Sequence, residues 1–312
     1  MKKILYLGKR IGDVGGVSTF NKRFSKRLYN SNVDFKFLEL TNISLLRLIK
    51  EIILHKNIYY SGCNIIFSIL LRFFSIISYK KLIISFHGMP FNTKSLIVKT
   101  IENLSYRISH LTILGASGEL QIRYKKNIQV ISSFISPVNH SDLFVDNFLA
   151  LNNVNKFEHI FVTMVYKNVI DKDGYELYGI SNLIESFKML ENYALIVVNP
   201  NQDLIAKEEY KNIFFISQNI NLSYLLEKAD VFIRNTTSDG DPLSVKEALS
   251  VGCKVMASNC ILRPESVHLF DYHDKNSLIN TIKNICKADK MVVNDLDSYN
   301  EYLQIFKVFF YK

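Results

Sequence analysis

Short apolar runs recur along the chain, and each is separated from the next by a helix-length segment whose apolar positions return every three or four residues. In the first half the runs cover residues 3–7, 33–40, 81–86, 110–114 and 128–131, with helices expected over 17–29, 44–54, 65–78, 94–109 and 118–124. The second half repeats the pattern with runs at 159–165, 194–198, 212–216, 230–234 and 254–258, and helices at 180–191, 222–228, 243–251 and 277–287. Strands apolar throughout and spaced by helices predict parallel sheets covered on both faces. A chain of 312 residues is long enough for two such units. The expected architecture is therefore α/β, with two doubly wound domains over 1–148 and 149–312 and a seam in the polar stretch 137–157. The last helix is free to cross back to the first domain. Ligands of such sheets sit beyond the carboxyl ends of the strands, so the loops there are the places to look for chemistry.

Composition narrows the class. With 48% hydrophobic and 21% charged residues, the chain is neither a disordered tail nor a fibrous repeat. Its 38 Lys and Arg outnumber 29 Asp and Glu, and the excess lies in front: residues 1–150 hold 21 cations and 8 acids. The basic half points to an anionic partner: nucleic acid, a phosphorylated substrate or a membrane surface. No nucleic-acid module is recognisable, and the acidic second half would repel a phosphate backbone, so nucleic acid is not expected. Basic and apolar residues interleave at 45–60 and 69–81, a combination suited to lying on anionic lipid, although ordinary amphipathic helices with solvated polar faces would read similarly. The most apolar run, 65–77, is 13 residues long and contains Arg72, too short for a membrane span. The start of the chain reads as a strand and not a secretion signal. Cys63, Cys253, Cys260 and Cys286 lack Cys-x-x-Cys spacing, so neither a zinc site nor a disulfide framework is expected and a reducing compartment is the default.

Three loops carry candidate chemistry. After the first strand, Gly15 and Gly16 allow close backbone approach to a ligand, and the helix they open offers N–H groups to a phosphate or carboxylate; a tight turn without a ligand has the same requirement. His87 stands just past the third run, in a structural or a functional role. The third loop, residues 234–258, is the most informative. Asp241 fits a helix N-cap and Pro242 the first helical position. Glu247 then lies early in the helix, where a carboxylate can accept two hydroxyl hydrogens of a ribose. Asp239 remains on the loop, able to bond hydroxyls of an adjacent polyol. Plain solvation of both acids is the competing reading.

The order Asp239, Gly240, Asp241, Pro242, Leu243, Glu247, Ala248, Leu249, Gly252, Val255 resembles the Glu-x7-Glu region of the group 1 retaining glycosyltransferases of the GT-B fold. Gly15-Gly16-Val17 resembles that family's glycine loop, and residues 85–88 (SFHG) its His-containing loop. Residues 114–120 and 178–187 are similar to its later strand and to the first helix of its second domain. The resemblance implies two Rossmann-like domains facing a central cleft and a nucleotide-sugar donor held by the second. Transfer, with retention, goes to a glycan acceptor held by the first, in the family linked to a polyprenyl diphosphate in bacterial surface-polysaccharide biosynthesis such as O-antigen or capsule. It implies that Glu247 holds ribose hydroxyls and Asp239 donor sugar hydroxyls. The donor-binding stretch Gly240, Asp241, Pro242, Leu243 and Ser244 holds the diphosphate through the amides around Pro242 to Ser244, Gly15 and Gly16 approach phosphate or acceptor, and His87 lies beside the sugar. No cofactor or metal is implied, and the location would be cytoplasmic, peripheral on the inner face of the membrane. The family's Arg and Lys pair has no clean match: Tyr178 precedes Gly179 where the Lys usually stands, and Lys167 and Lys172 are the nearest substitutes for neutralising the leaving diphosphate. An idle, transferase-like binding protein is the alternative that this substitution supports.

Overall fold

The computed structural model describes residues 3–11, 15–87, 100–101, 111–115, 126–137, 141–204, 210–239, 242–290, 293 and 296–311. The helices expected at 94–109 and 118–124 lie outside these residues, except that Thr100 and Ile101 are helical. The chain divides into two compact units, Met1–Ile135 with Asp297–Lys312, and Ser136–Leu296.

In the first unit β1 (Ile4–Gly8), β2 (Phe35–Glu39), β3 (Asn57–Gly62), β4 (Lys81–Phe86), β5 (Leu111–Leu114) and β6 (Ile128–Val130) form a parallel sheet in the order β2-β1-β3-β4-β5-β6. Its helices include α1 (Gly16–Asn30), α2 (Leu45–Leu54) and α3 (Ile65–Ile77). Successive strand residues point to opposite faces. Ile4, Tyr6, Tyr59 and Ile83 meet Phe20, Phe24 and Leu28 of α1, whereas Leu5, Leu7, Ile58, Tyr60 and Leu82 meet Ile52 of α2 and Leu71 of α3. Helix α2 ends at Leu54, as the pattern predicts, but the strand that follows, β3, is absent from the predicted runs although it is fully buried and central. Its polar Asn57 and Ser61 hid it. A strand buried on both faces shows no alternation to betray it.

The second unit contains α4 (Leu143–Leu151), β7 (His159–Met164), α5 (Ile180–Lys188), β8 (Tyr193–Val198), β9 (Ile213–Ile216), α6 (Leu222–Lys228), β10 (Val231–Arg234), α7 (Leu243–Ser250), β11 (Lys254–Ser258), β12 (Val267–Phe270) and α8 (Lys275–Lys287). Its sheet is parallel, in the order β12-β11-β10-β7-β8-β9. Helices α4, α6 and α7 cover one face, while α5 and α8 cover the other. Part of the polar seam is therefore helical: the Asp142 carboxylate accepts from Phe144 and Val145 N–H, and Val145 and Leu149 reach the core. The chain then returns to the first unit through α9 (Tyr299–Phe310), whose Tyr302 and Phe306 are buried among Phe24 and Tyr59.

Both sheets are doubly wound, and each reverses direction once. In the first unit the reversal falls between β1 and β3; in the second it falls between β7 and β10. Connections leaving adjacent strands toward opposite faces open a crevice at their carboxyl ends, which places the loops after these strands at the ligand-binding edge.

Candidate functional site

At the carboxyl edge of the first sheet, a chain of hydrogen bonds runs through buried side chains. Tyr6 OH donates to Asn21 Oδ1 at 2.8 Å, and Asn21 Nδ2 donates to the Lys9 carbonyl at 3.2 Å. Ser61 Oγ donates to the same Asn21 Oδ1 at 2.6 Å and lies 2.9 Å from His87 Nε2, while His87 Nδ1 is 3.0 Å from Ser133 Oγ. Ser61 has one proton and gives it to Asn21, so His87 Nε2–H must be the donor in the next link. Burial pushes the His87 pKa down to about 4, which keeps the ring uncharged at neutral pH. With Nε2 protonated in a neutral ring, Nδ1 is left as an acceptor toward Ser133 Oγ. The Phe20 ring packs 4.7 Å away. At neutral pH His87 is a fixed, uncharged group with both nitrogens engaged.

Gly15 caps α1 with φ 124°, a backbone angle that favours glycine, and its carbonyl accepts from Thr19 N–H. Gly16 opens the helix. The residues between Ile11 and Gly15 lie outside the described part.

In the second unit the loops after β7 and β10 are laced together. Thr237 N–H donates to the Leu177 carbonyl at 3.1 Å, and Asn235 Nδ2 donates to the Gly179 carbonyl at 2.9 Å. Gly179 begins α5 with φ 48°, and a Cβ there would run into Asn235 and lie 2.8 Å from the Tyr272 ring. Lys167 and Lys172 stand exposed on the β7–α5 loop.

The cations assembled at this edge are different ones. Arg234, the last residue of β10, forms a two-pronged pair with Asp239, Nε to Oδ2 and Nη2 to Oδ1, both 3.0 Å. Arg263, from the loop after β11, adds Nη2 to Oδ2 at 3.0 Å. The Arg234 guanidinium also lies 5.1 Å from the Tyr178 ring centroid. The Asp239 carboxyl is pulled two ways: burial raises its pKa, but Arg234, then Arg263, outweigh burial and hold it below the ordinary carboxylate value. Asp239 is therefore an anion with both oxygens engaged. Two guanidiniums against one carboxylate leave the trio a net positive charge.

Arg263 carries the larger electrostatic deficit. Its side chain is 2% exposed, and among the described residues its buried Nε and Nη1 find no hydrogen-bond partner. Leaving charged donors unmatched in a low-dielectric surrounding is costly, and an anion brought to that edge would recover the cost. The helix beside it, α7, starts at Leu243 with Pro242 as N-cap (φ −72°, ψ 113°), one position later than the sequence suggested, and offers no side-chain cap. Ser244 and Glu247 are buried on α7; Gly240 and Asp241 lie outside the described residues. The loop is pinned to β11 by Thr236 N–H to Ser258 Oγ at 3.1 Å and Ser258 Oγ to the Thr236 carbonyl at 2.6 Å.

Sequence reasoning named Asp239, Glu247 and His87 but missed Asn21, Ser61, Ser133, Arg234 and Arg263. A trace of Arg234 was visible, as an Arg closing an otherwise apolar strand (VFIR). Arg263 carried no local signal. Among the described residues no three His, Cys, Asp or Glu side chains come together to hold a metal.

No protein-family model and no curated protein sequence matches the chain. Solved structures do. HepE from Anabaena in complex with UDP-glucose matches with a TM-score of 0.66 and 14% identity, over 97% of this chain and 100% of that one. Sucrose-phosphate synthase from Thermosynechococcus elongatus matches with a TM-score of 0.67 and 13% identity, over 99% and 100%. WaaG, a glycosyltransferase involved in lipopolysaccharide biosynthesis, matches with a TM-score of 0.58 and 10% identity, over 97% and 94%. At these identities the likeness establishes the fold. The chain has the two-domain α/β architecture of the GT-B glycosyltransferases.

Proposed function

We propose that the protein is a nucleotide-sugar-dependent glycosyltransferase that moves a sugar, with retention, to a glycan acceptor carried on a polyprenyl diphosphate in bacterial surface-polysaccharide biosynthesis. One observation carries the reading: a cationic trio, in which two buried nitrogens of Arg263 lack a partner among the described residues, stands at the reversal point of the second sheet, beside α7 and its buried Glu247. HepE, of like fold, was solved with UDP-glucose, which supports a nucleoside diphosphate sugar as the donor class.

In this reading Glu247 holds the ribose and the amides of Leu243 and Ser244 face the diphosphate. Departure of the nucleoside diphosphate builds negative charge, and Arg263 with Arg234 answers it in place of the family's usual cations. Asp239 positions both guanidiniums, and contact with sugar hydroxyls is left to whichever of its lone pairs the arginines do not occupy. Lys167 and Lys172 reach the outer phosphate from the β7–α5 loop. A cation aimed at developing charge contributes about 100-fold in rate. His87, uncharged and with both ring nitrogens engaged inside the first unit, offers a fixed shape and no proton. Double displacement needs two carboxylates at the anomeric carbon, about 5 Å apart. The trio leaves Asp239 bound, so the leaving phosphate itself takes the acceptor proton on the same face of the sugar.

The test is calorimetric titration with UDP and a panel of nucleotide sugars, followed by mass spectrometry of donor turnover. Wild type should bind a nucleoside diphosphate; Glu247→Ala should weaken binding, and Arg263→Met should lower turnover about 100-fold. Binding without turnover of any donor, with the acceptor supplied, would favour the idle binding protein. No nucleotide binding at all would overturn the transferase reading.

A further inference from the structure

We propose that the outer faces of α2 and α3 form one docking surface for an anionic lipid bilayer. This goes beyond the transferase reading and does not depend on it. Helix α2 exposes Leu45, Leu46, Ile49, Ile53 and Leu54, while its Leu48 and Ile52 pack on the sheet. Helix α3 exposes Ile66, Leu70, Phe73 and Ile77, an i, i+4, i+7, i+11 series that forms a single outward stripe, while Leu71 and Phe74 face inward. Both helices thus have an apolar face in excess of the one the core uses. Single exposed apolar residues are ordinary, but nine on two neighbouring helices form a patch of the kind that marks an interaction site.

The two stripes share one side of the unit. Inward residues of both helices belong to the same apolar layer on the same face of the sheet. Lys80, three residues beyond α3, donates from Nζ to the Ile53 and His55 carbonyls at the end of α2, both at 2.9 Å. That cation satisfies the helix end and fixes the two elements side by side.

Charge selects the partner. Exposed Arg47, Lys50 and Lys56 fringe the apolar surface. Between residues 41 and 81 the only acid is Glu51, which is buried and paired with Lys36 at 2.5 Å. A second copy of the chain docking through this face would set cations against cations, because a two-fold contact pairs a patch with itself. An anionic lipid surface neutralises them and accepts the apolar side chains between its headgroups. With 10 and 13 residues, α2 and α3 are too short to span the hydrocarbon, and no described helix is long and apolar enough to do so. They would lie in the plane of the interface.

Co-sedimentation with phosphatidylcholine vesicles, with and without about 30% phosphatidylglycerol, provides the test. Wild type should partition at least 10-fold more strongly onto the anionic vesicles, and the preference should shrink as salt rises from about 50 to 500 mM. Leu46→Glu with Leu70→Glu, one on each exposed stripe, should reduce partition about 10-fold with an unchanged circular dichroism spectrum and melting temperature. Lys50→Glu with Lys56→Glu should remove the anionic preference. Retained binding in the Leu46/Leu70 variant would overturn the proposal, as would no binding by wild type. So would a lipid-free dimer in sedimentation equilibrium that this variant disperses. UDP titration of the same proteins keeps the two readings apart, since a protein that fails to bind nucleotide can still bind vesicles, and the reverse.

Discussion

Residue-scale behaviour is most constrained at His87. Its folded pKa of about 4 lies below the ordinary histidine value near 6.5, so between those values the unfolded chain binds more protons than the folded one. Stability from keeping this imidazole neutral is complete above about pH 6.5 and is lost as pH falls through about 4. The shift corresponds to roughly 3 kcal/mol. The unfolding free energy of wild type, measured against that of His87→Gln at each pH by urea denaturation, should fall by that order between pH 6.5 and 4; a flat difference would remove the neutral-histidine assignment. That His87 ends a strand was legible from the apolar run before it. That it is bonded to Ser61 and Ser133 was not, because those partners are brought in by strands β3 and β6, and pairing order is not written in local pattern. Arg263 illustrates the same limit: its partner Asp239 is 24 residues away, with α7 and β11 between them.

At the scale of elements, legibility followed how each segment is buried. Strands β4 and β11 and helix α6 matched the apolar pattern residue for residue. Strands β3 and β12 did not stand out. The first has polar Asn57 and Ser61 within it; the second has four residues, two of them exposed. The joint between elements carries its own constraint at Gly179, where the left-handed start of α5 lies against Asn235 and Tyr272. Gly179→Ala adds a methyl where none fits and strains a positive φ, and the expected cost is about 2 kcal/mol. Because Asn235 leads directly into the Thr236 to Asp239 loop, the change should also weaken nucleoside diphosphate binding. Thermal melts with and without UDP would report both effects. Unaltered stability would mean that the α5 junction is more yielding than its contacts indicate.

For the whole molecule, the division of the chain is not the division of the fold, because the last helix serves the first unit. Rings of α9 complete an aromatic cluster begun near the start of the chain: Phe306 lies 5.3 Å from Phe24 and 4.8 Å from Tyr59, and Tyr302 lies 5.3 Å from Phe20. Arg27 pairs with Asp297 at 3.1 Å and stacks 4.4 Å over Tyr299, and Lys81 donates to the Phe309 carbonyl at 2.9 Å. These contacts join residues more than 200 positions apart, and the first sheet cannot bury its α1 face without them. Phe306→Ala should therefore cost about 3–5 kcal/mol, the range for emptying a buried aromatic site. The loss should be local to one unit. Hydrogen exchange should show faster opening of β1, β3 and β4, with protection of β7, β8 and β10 unchanged, because the second sheet has its own helices on both faces. Equal loss of protection in both sheets would show instead that the units fold as one cooperative block. The aromatic residues of α9 were visible in the sequence, but their destination was fixed only by the ring contacts, which no spacing rule connects across the intervening second unit.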